Sequence, residues 1–306
     1  MSLIIIGTVA FDAIETPFGK TDKIVGGAAT YASLAASYFY NKVKIVGVVG
    51  EDFHAGDIKS FNDHGIDTEG LQIKKGKKSF FWSGKYHNDM NSRDTLVTEL
   101  NVLGDFDPII PDSYQDCEYL MLGNLTPQVQ QTVISRLKKR PKLIVLDTMN
   151  FWMDIALDDL LGVIKNIDVL TINDAEARQL SGEYSLVKAA KKILKMGPKY
   201  LIIKKGEHGA LLFHEDMIFS APALPLAEVF DPTGAGDTFA GGFIGYLAQV
   251  GTINFASMKN AIIYGSALAS FCVEKFGTEK IKDLTKEQIS KRVQQFVNLS
   301  SFVIEK

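Results

Sequence analysis

The sequence predicts an α/β fold, a mostly parallel sheet covered by helices on both faces. Short apolar runs recur along the chain, and helix-period stretches separate them. The runs are apolar at nearly every position rather than at alternate ones, as in strands buried on both faces. The chain has 306 residues, 46% hydrophobic and 23% charged, which excludes a disordered polypeptide. Length alone allows about two domains at roughly 150 residues each, but α/β folds of this size often form one core, so residues 1–306 are read as a single domain.

Leu3 to Val9 is the first apolar run and ends at Asp12. Gly26-Gly27 opens a small-residue helix from Ala28 to Tyr40, and Lys44 to Val49 is the next strand. Residues 54–64 read as helix and Ile66 to Ile73 as extended. Further strands are expected at Tyr119 to Leu122, Leu143 to Leu146, Val169 to Ile172 and Tyr200 to Ile203. Two pieces break this rhythm. Residues 11–25 are turn-rich, and residues 74–100 carry four lysines and then Phe80, Phe81, Trp82, Tyr86 and Arg93. They are expected to pair into a small β-lid over one edge of the main domain.

Charge and cysteine content narrow the partners. Lys+Arg 33 against Asp+Glu 36 gives −3, so nothing suggests nucleic acid. No stretch reaches the 18 apolar residues of a membrane span, and the first apolar run is too short for a signal sequence. Cys117 and Cys272 lie in apolar surroundings and read as core thiols, which fits a reducing cytoplasm. The five histidines show no metal-ligand spacing.

The strongest chemical signal is Asp231-Pro232-Thr233-Gly234-Ala235-Gly236-Asp237, followed by a helical pattern with Phe239, Phe243, Tyr246, Leu247 and Val250 on one face. Small residues at a helix N-terminus let an anion approach free N–H groups, and the helix dipole favours negative charge. An Asp in that first turn can be a dipole complement. It can also take the proton from a hydroxyl that attacks a phosphoryl group. Rival phosphate motifs fail. Gly19-Lys20-Thr21 has the tail of a P-loop, but Ile14 stands where its first glycine belongs. Gly234-x-Gly236 lies far from the first strand and has Phe239 at the third glycine position, which disfavours a dinucleotide fold.

The 231–243 stretch resembles the C-terminal signature of the ribokinase/PfkB family of carbohydrate and nucleoside kinases. Gly26-Gly27-Ala28-Ala29 and Val46 to Asp52 resemble its N-terminal signature, and the likeness spans nearly the whole chain. The resemblance implies a ribokinase-like three-layer α/β/α domain. It implies ATP-dependent transfer of a phosphoryl group to a primary hydroxyl of a ribonucleoside or sugar. Asp237 takes the place of the general base, and Gly234, Ala235 and Gly236 that of the anion hole. Asp12 matches the acidic residue that binds sugar hydroxyls, and Gly26 and Gly27 would let the ring approach. Thr30 departs from the pattern, since many members carry Asn there to bind substrate.

By the same resemblance, Asn173 and Glu176 match an N-x-x-E motif that organises Mg²⁺ through water, although the spacing is equally that of a helix capping box. Lys204, Gly206 and Gly209 match the nucleotide turn, with Lys204 in place of a hydroxyl residue. Ser266 and Gly277 fall on the adenine side. Asp231 and Thr233 stand where some relatives hold a monovalent cation, which opens a role for K⁺. Asn124 and Asp147 to Asn150 follow strands and are candidates for substrate or phosphate contact, or plain loop residues. The lid aromatics could stack a nucleobase, form a small core, or join two copies into a homodimer. A nucleoside acceptor is preferred over a free sugar, and a non-catalytic sugar or nucleoside sensor is the remaining alternative.

Overall fold

The computed structural model describes residues 2–304. Its strands are β1 Leu3–Ile6, β2 Ala10–Thr16, β3 Gly19–Lys20, β4 Ile24–Gly26, β5 Val43–Gly50, β6 Asp67–Lys74, β7 Phe80–Tyr86, β8 Arg93–Glu99, β9 Tyr119–Leu122, β10 Leu143–Asp147, β11 Val169–Asn173, β12 Tyr200–Lys204, β13 Ala210–His214 and β14 Met217–Ala221. The main sheet has nine strands among the described residues, in the order β14-β13-β12-β11-β10-β9-β1-β5-β6. From β12 to β6 every pairing is parallel. The hairpin β13–β14 adds an antiparallel edge.

Side chains of β1 show why its run is wholly apolar. Leu3 and Ile5 enter one core with the helices Ala28–Ser37, Ala235–Val250 and Phe255–Cys272. Ile4 and Ile6 enter a second core with the helices Pro127–Arg136, Leu157–Ile164 and Leu186–Leu194. Alternate side chains point to opposite faces of a strand, so both faces must be apolar. The result is three layers, helices on each side of the sheet. Both cysteines are buried and free. No helix among the described residues is long and apolar enough to cross a membrane.

The chain leaves β1 in one direction to β5 and β6, then returns to the other side of β1 with β9 and β10. The order therefore switches between β5 and β9, and the cleft of an open α/β sheet lies at such a point, beyond the strand C-terminal ends. The first strand stops three residues short of the expected Val9. Thr8 leaves the ladder because it ties the next helix: its Oγ1 accepts from the Ala28 N–H at 2.9 Å and its carbonyl from the Ala29 N–H at 3.0 Å.

The two irregular segments form a second sheet, β3-β2-β7-β8, with β4 also paired to β2. Asp12 stands opposite Trp82 in the parallel β2–β7 pair, and Tyr86 opposite Arg93 in the antiparallel β7–β8 pair. The helix Ala235–Val250 differs from the single apolar face expected. It is buried on most sides between two other helices, while Val250 is exposed at its end. Small residues, not the aromatic stripe alone, allow this packing: a Cβ on Gly241 would stand 2.2 Å from the Ala32 carbonyl oxygen.

Candidate active site

The helix Ala235–Val250 begins at Gly234, whose φ of 75° is in the left-handed region. A Cβ there would fall 2.5 Å from the Tyr31 ring, so both conformation and space demand glycine. The Ala235 N–H already donates to the Pro232 carbonyl at 3.2 Å. Among the described residues the N–H groups of Gly236 and Asp237 have no such acceptor ahead of the helix, although the Asp237 N–H also lies against its own carboxylate, so they are the donors open to an anion. Of the three residues expected to form the hole, Ala235 is thus the one whose amide is already engaged.

Beside this hole stands a charged cluster built at the ends of β10 and β12. Lys204, at the end of β12, donates to Asp147 Oδ1 at 2.9 Å, at the end of β10. The same oxygen accepts from Thr171 Oγ1 at 2.9 Å. Lys204 Nζ also lies 3.1 Å from where a Cβ on Gly236 would stand, which places the ammonium against the hole. Burial alone would lower the Lys204 pKa, but Asp147 and Glu176 offset it and hold the ammonium above its ordinary value. Burial, then the Asp147 charge, pushes Asp237 up to about 7. The arrangement is a carboxyl group poised to take a proton near neutrality, next to donors for an anion.

Asn173 and Glu176 close a capping box. The Glu176 N–H donates to Asn173 Oδ1 at 2.8 Å, and the Asn173 N–H donates to Glu176 Oε2 at 2.7 Å. The cap explains the spacing by itself. Glu176 is nonetheless buried, and burial raises it to about 7. Its Oε1 and the Oδ2 of Asp147 make no hydrogen bond among the described residues. No group of three potential metal ligands occurs there. Two free carboxylate oxygens fit a Mg²⁺ ion that keeps most of its waters.

Across the cleft, Asp12 on β2 is 5% exposed, and burial followed by the Asp231 charge raises it to about 7. A Cβ on Gly26 would stand 1.9 Å from Asp12 Oδ2. Gly26→Ala is therefore expected to displace this carboxylate and raise the acceptor KM by about 10- to 100-fold. Steady-state kinetics checks it, with circular dichroism as a control for the fold.

Thr30 differs from the expectation. Its hydroxyl donates to the Gly26 carbonyl at 2.6 Å and is buried, so it is engaged in shaping the turn. Asn124 is also engaged at both ends, accepting from Trp152 Nε1 at 2.8 Å and contacting Met149 Sδ at 3.1 Å. Asp231 is fully buried and accepts from the Thr233 and Gly277 N–H groups, each at 2.8 Å. It clamps the glycine-rich turn to the 277 turn. Gly27 lies beside Asp12, Gly206 and Gly209 flank the turn after β12, and Ser266 is half-buried on its helix.

One contributor escaped the sequence reading, and two more were placed in the lid without a role at this turn. Tyr31 lies under Gly234 with a buried hydroxyl that has no hydrogen-bond partner among the described residues. Tyr86 sits 3.2 Å from Thr233 Oγ1 through its hydroxyl. Arg93, opposite Tyr86, is close enough to lower the pKa values of Asp237 and Glu176. None carries a spacing signal, because a lone tyrosine in an alanine-rich helix and a lone arginine in a polar hairpin look ordinary.

The chain matches the pfkB family carbohydrate kinases over residues 3–284. It is 31% identical over 248 residues to a cytidine kinase of Thermococcus kodakarensis, covering 80% of this chain and 87% of that protein. It is 25% identical over 302 residues to a nucleoside kinase of Methanothermobacter thermautotrophicus, covering 90% and 91%. The structure is similar to that of the Methanocaldococcus jannaschii nucleoside kinase, with a TM-score of 0.77, 20% identity, and 96% and 99% of the two chains covered.

Proposed function

This chain belongs to the pfkB family of carbohydrate kinases, and we propose that it phosphorylates a ribonucleoside at a primary hydroxyl, with cytidine as the first acceptor to test. The observation that carries the reading is Asp237, a carboxylate held near neutrality at the mouth of the Gly236–Asp237 amides. Asp237 takes the proton of the acceptor hydroxyl. The acceptor oxygen bonds to the γ-phosphorus, the bond from that phosphorus to the bridging oxygen breaks, and ADP leaves. The amides and Lys204 hold the phosphoryl oxygens as charge shifts. Glu176 and Asp147 are the residues to hold Mg²⁺ through water. The ion, bound with ATP, supplies charge neutralisation on the phosphates. Asp12 orients the sugar hydroxyls as an acceptor of their hydrogen bonds.

Trp82 supports a nucleoside over a free sugar. Phe81 packs against the main core and Tyr86 is buried at Thr233, so those rings are committed. Trp82 is half-buried, its ring occupies the space beside Gly84, and it stands opposite Asp12 in the β2–β7 register. A base can stack there while its ribose meets Asp12. Trp82→Ala is expected to raise the nucleoside KM about 10-fold, the scale of one base–aromatic stack. Turnover of free ribose, where present, should not change.

ADP release from Mg-ATP with a panel of nucleosides and free sugars tests the whole reading. Turnover of ribose or fructose with no nucleoside active overturns the acceptor. Added K⁺ in the same assay reads the cation dependence. Asp231 already accepts two amide hydrogen bonds, which makes it a weaker cation ligand than the resemblance implies. The edge strand β8 exposes Leu96 and Val97, the surface through which two copies would pair.

A further inference from the structure

The chain has five arginines. Arg136, Arg140, Arg178 and Arg292 each pair with a carboxylate. Arg93 makes no ion pair among the described residues. Its guanidinium lies beside two rings, Trp82 at 5.7 Å and Tyr86 at 6.0 Å from the centroids, and within reach of the Tyr86 hydroxyl. Both rings lie at the outer limit of a cation–π contact, so no carboxylate and no close ring face claims its charge. Yet Arg93 is placed precariously close to the chemistry. It stands opposite Tyr86 in the β7–β8 register, and the Tyr86 hydroxyl touches Thr233 of the glycine-rich turn at 3.2 Å. Its charge reaches both Asp237 and Glu176.

The charge balance of the site gives that position a purpose. Asp147, Glu176 and Asp237 surround the one ammonium of Lys204, and Asp147 already holds it. An incoming phosphoryl group meets more carboxylates than protein cations. We propose that Arg93 grips the transferring phosphoryl group from the second sheet, facing the Gly236–Asp237 amides across the cleft. A planar guanidinium can hold two phosphoryl oxygens at once, and it carries its charge at every working pH. The second sheet then contributes to transfer itself as well as to acceptor binding. This inference rests on the kinase reading above.

Arg93 is exposed on an edge strand, so its replacement leaves the fold in place. The test compares wild type, Arg93→Ala and Arg93→Lys with Mg-ATP and the acceptor that wild type uses. Arg93→Ala is expected to lower kcat by about 10³-fold, the lower scale for an arginine acting on a transferring phosphoryl group. Acceptor KM should stay within about threefold, as for an interaction made in the transition state. Guanidinium added below denaturing concentration should restore part of the lost rate in Arg93→Ala, and Arg93→Lys should fall between the two. An Arg93→Ala kcat within about tenfold of wild type overturns the inference while leaving the kinase reading intact. So does a loss that guanidinium does not relieve, which marks a structural role. A wild-type protein that releases no ADP with any acceptor overturns both.

Discussion

Asp237→Asn lowers kcat by at least about 10²-fold, the scale of a general base, while ATP binding persists. The amide keeps the size of the carboxylate and cannot take the proton. Calorimetry for the nucleotide and coupled ADP release for turnover separate the two effects. Near-normal turnover in the variant removes Asp237 from its role. The wild-type pH profile gives a second check. Burial first, then Asp147, raises Asp237 to about 7, so the active, ionised form is lost as pH falls through about 7. The acid limb of kcat/KM should therefore lie near neutrality and not near the ordinary Asp value of 3.8.

The same shift fixes the sign of a stability effect. A carboxyl whose folded pKa is raised contributes stability that is full below 3.8 and lost as pH rises through about 7. At pH 8 the ionised Asp237 is thus a cost to the fold. Asp237→Asn should melt higher than wild type at that pH, and the gap should narrow as pH is lowered through 7. An active site that sacrifices stability for a buried charge behaves in this way.

Lys204→Met has the largest expected effect on stability, a loss of about 3–5 kcal/mol, because it leaves a buried carboxylate without its partner. The side chains of Lys204 and Asp147 are only 19% and 8% exposed, so water cannot replace the lost contact. Glu176 and Asp237 lose the same cation. Urea unfolding at pH 8 measures the effect. Adding Asp147→Leu to Lys204→Met should recover much of the stability and none of the turnover. A single variant as stable as wild type would show that the ammonium is solvated and not paired.

Much of the main sheet was legible because its strands obey one constraint. A strand buried on both faces must be apolar throughout, as Leu3–Ile6, Tyr119–Leu122 and Leu143–Leu146 are. The glycine-rich turn was legible for a similar reason. Gly234 needs a positive φ and space against Tyr31, and no other residue meets both. The end of β1 was misjudged because Thr8 looks like a strand residue until its bonds to Ala28 and Ala29 are seen. Thr30 and Asn124 looked free because polarity in sequence does not say which partner a side chain has found. In the fold, Gly26 and Trp152 have claimed them.

The sequence by itself determined the α/β class, the strand runs, and the turn in which small residues meet an aspartate. These are local matters of periodicity, side-chain size and backbone freedom, and neighbours in the chain set them. Only the tertiary structure decided the electrostatics. Asp12, Asp147, Asp237, Lys204 and Arg93 come from separate segments, and their charges matter to one another only after the sheet order brings the strand ends together. Burial then makes the cluster consequential, because a charge withdrawn from water takes its pKa from whatever the fold has placed beside it.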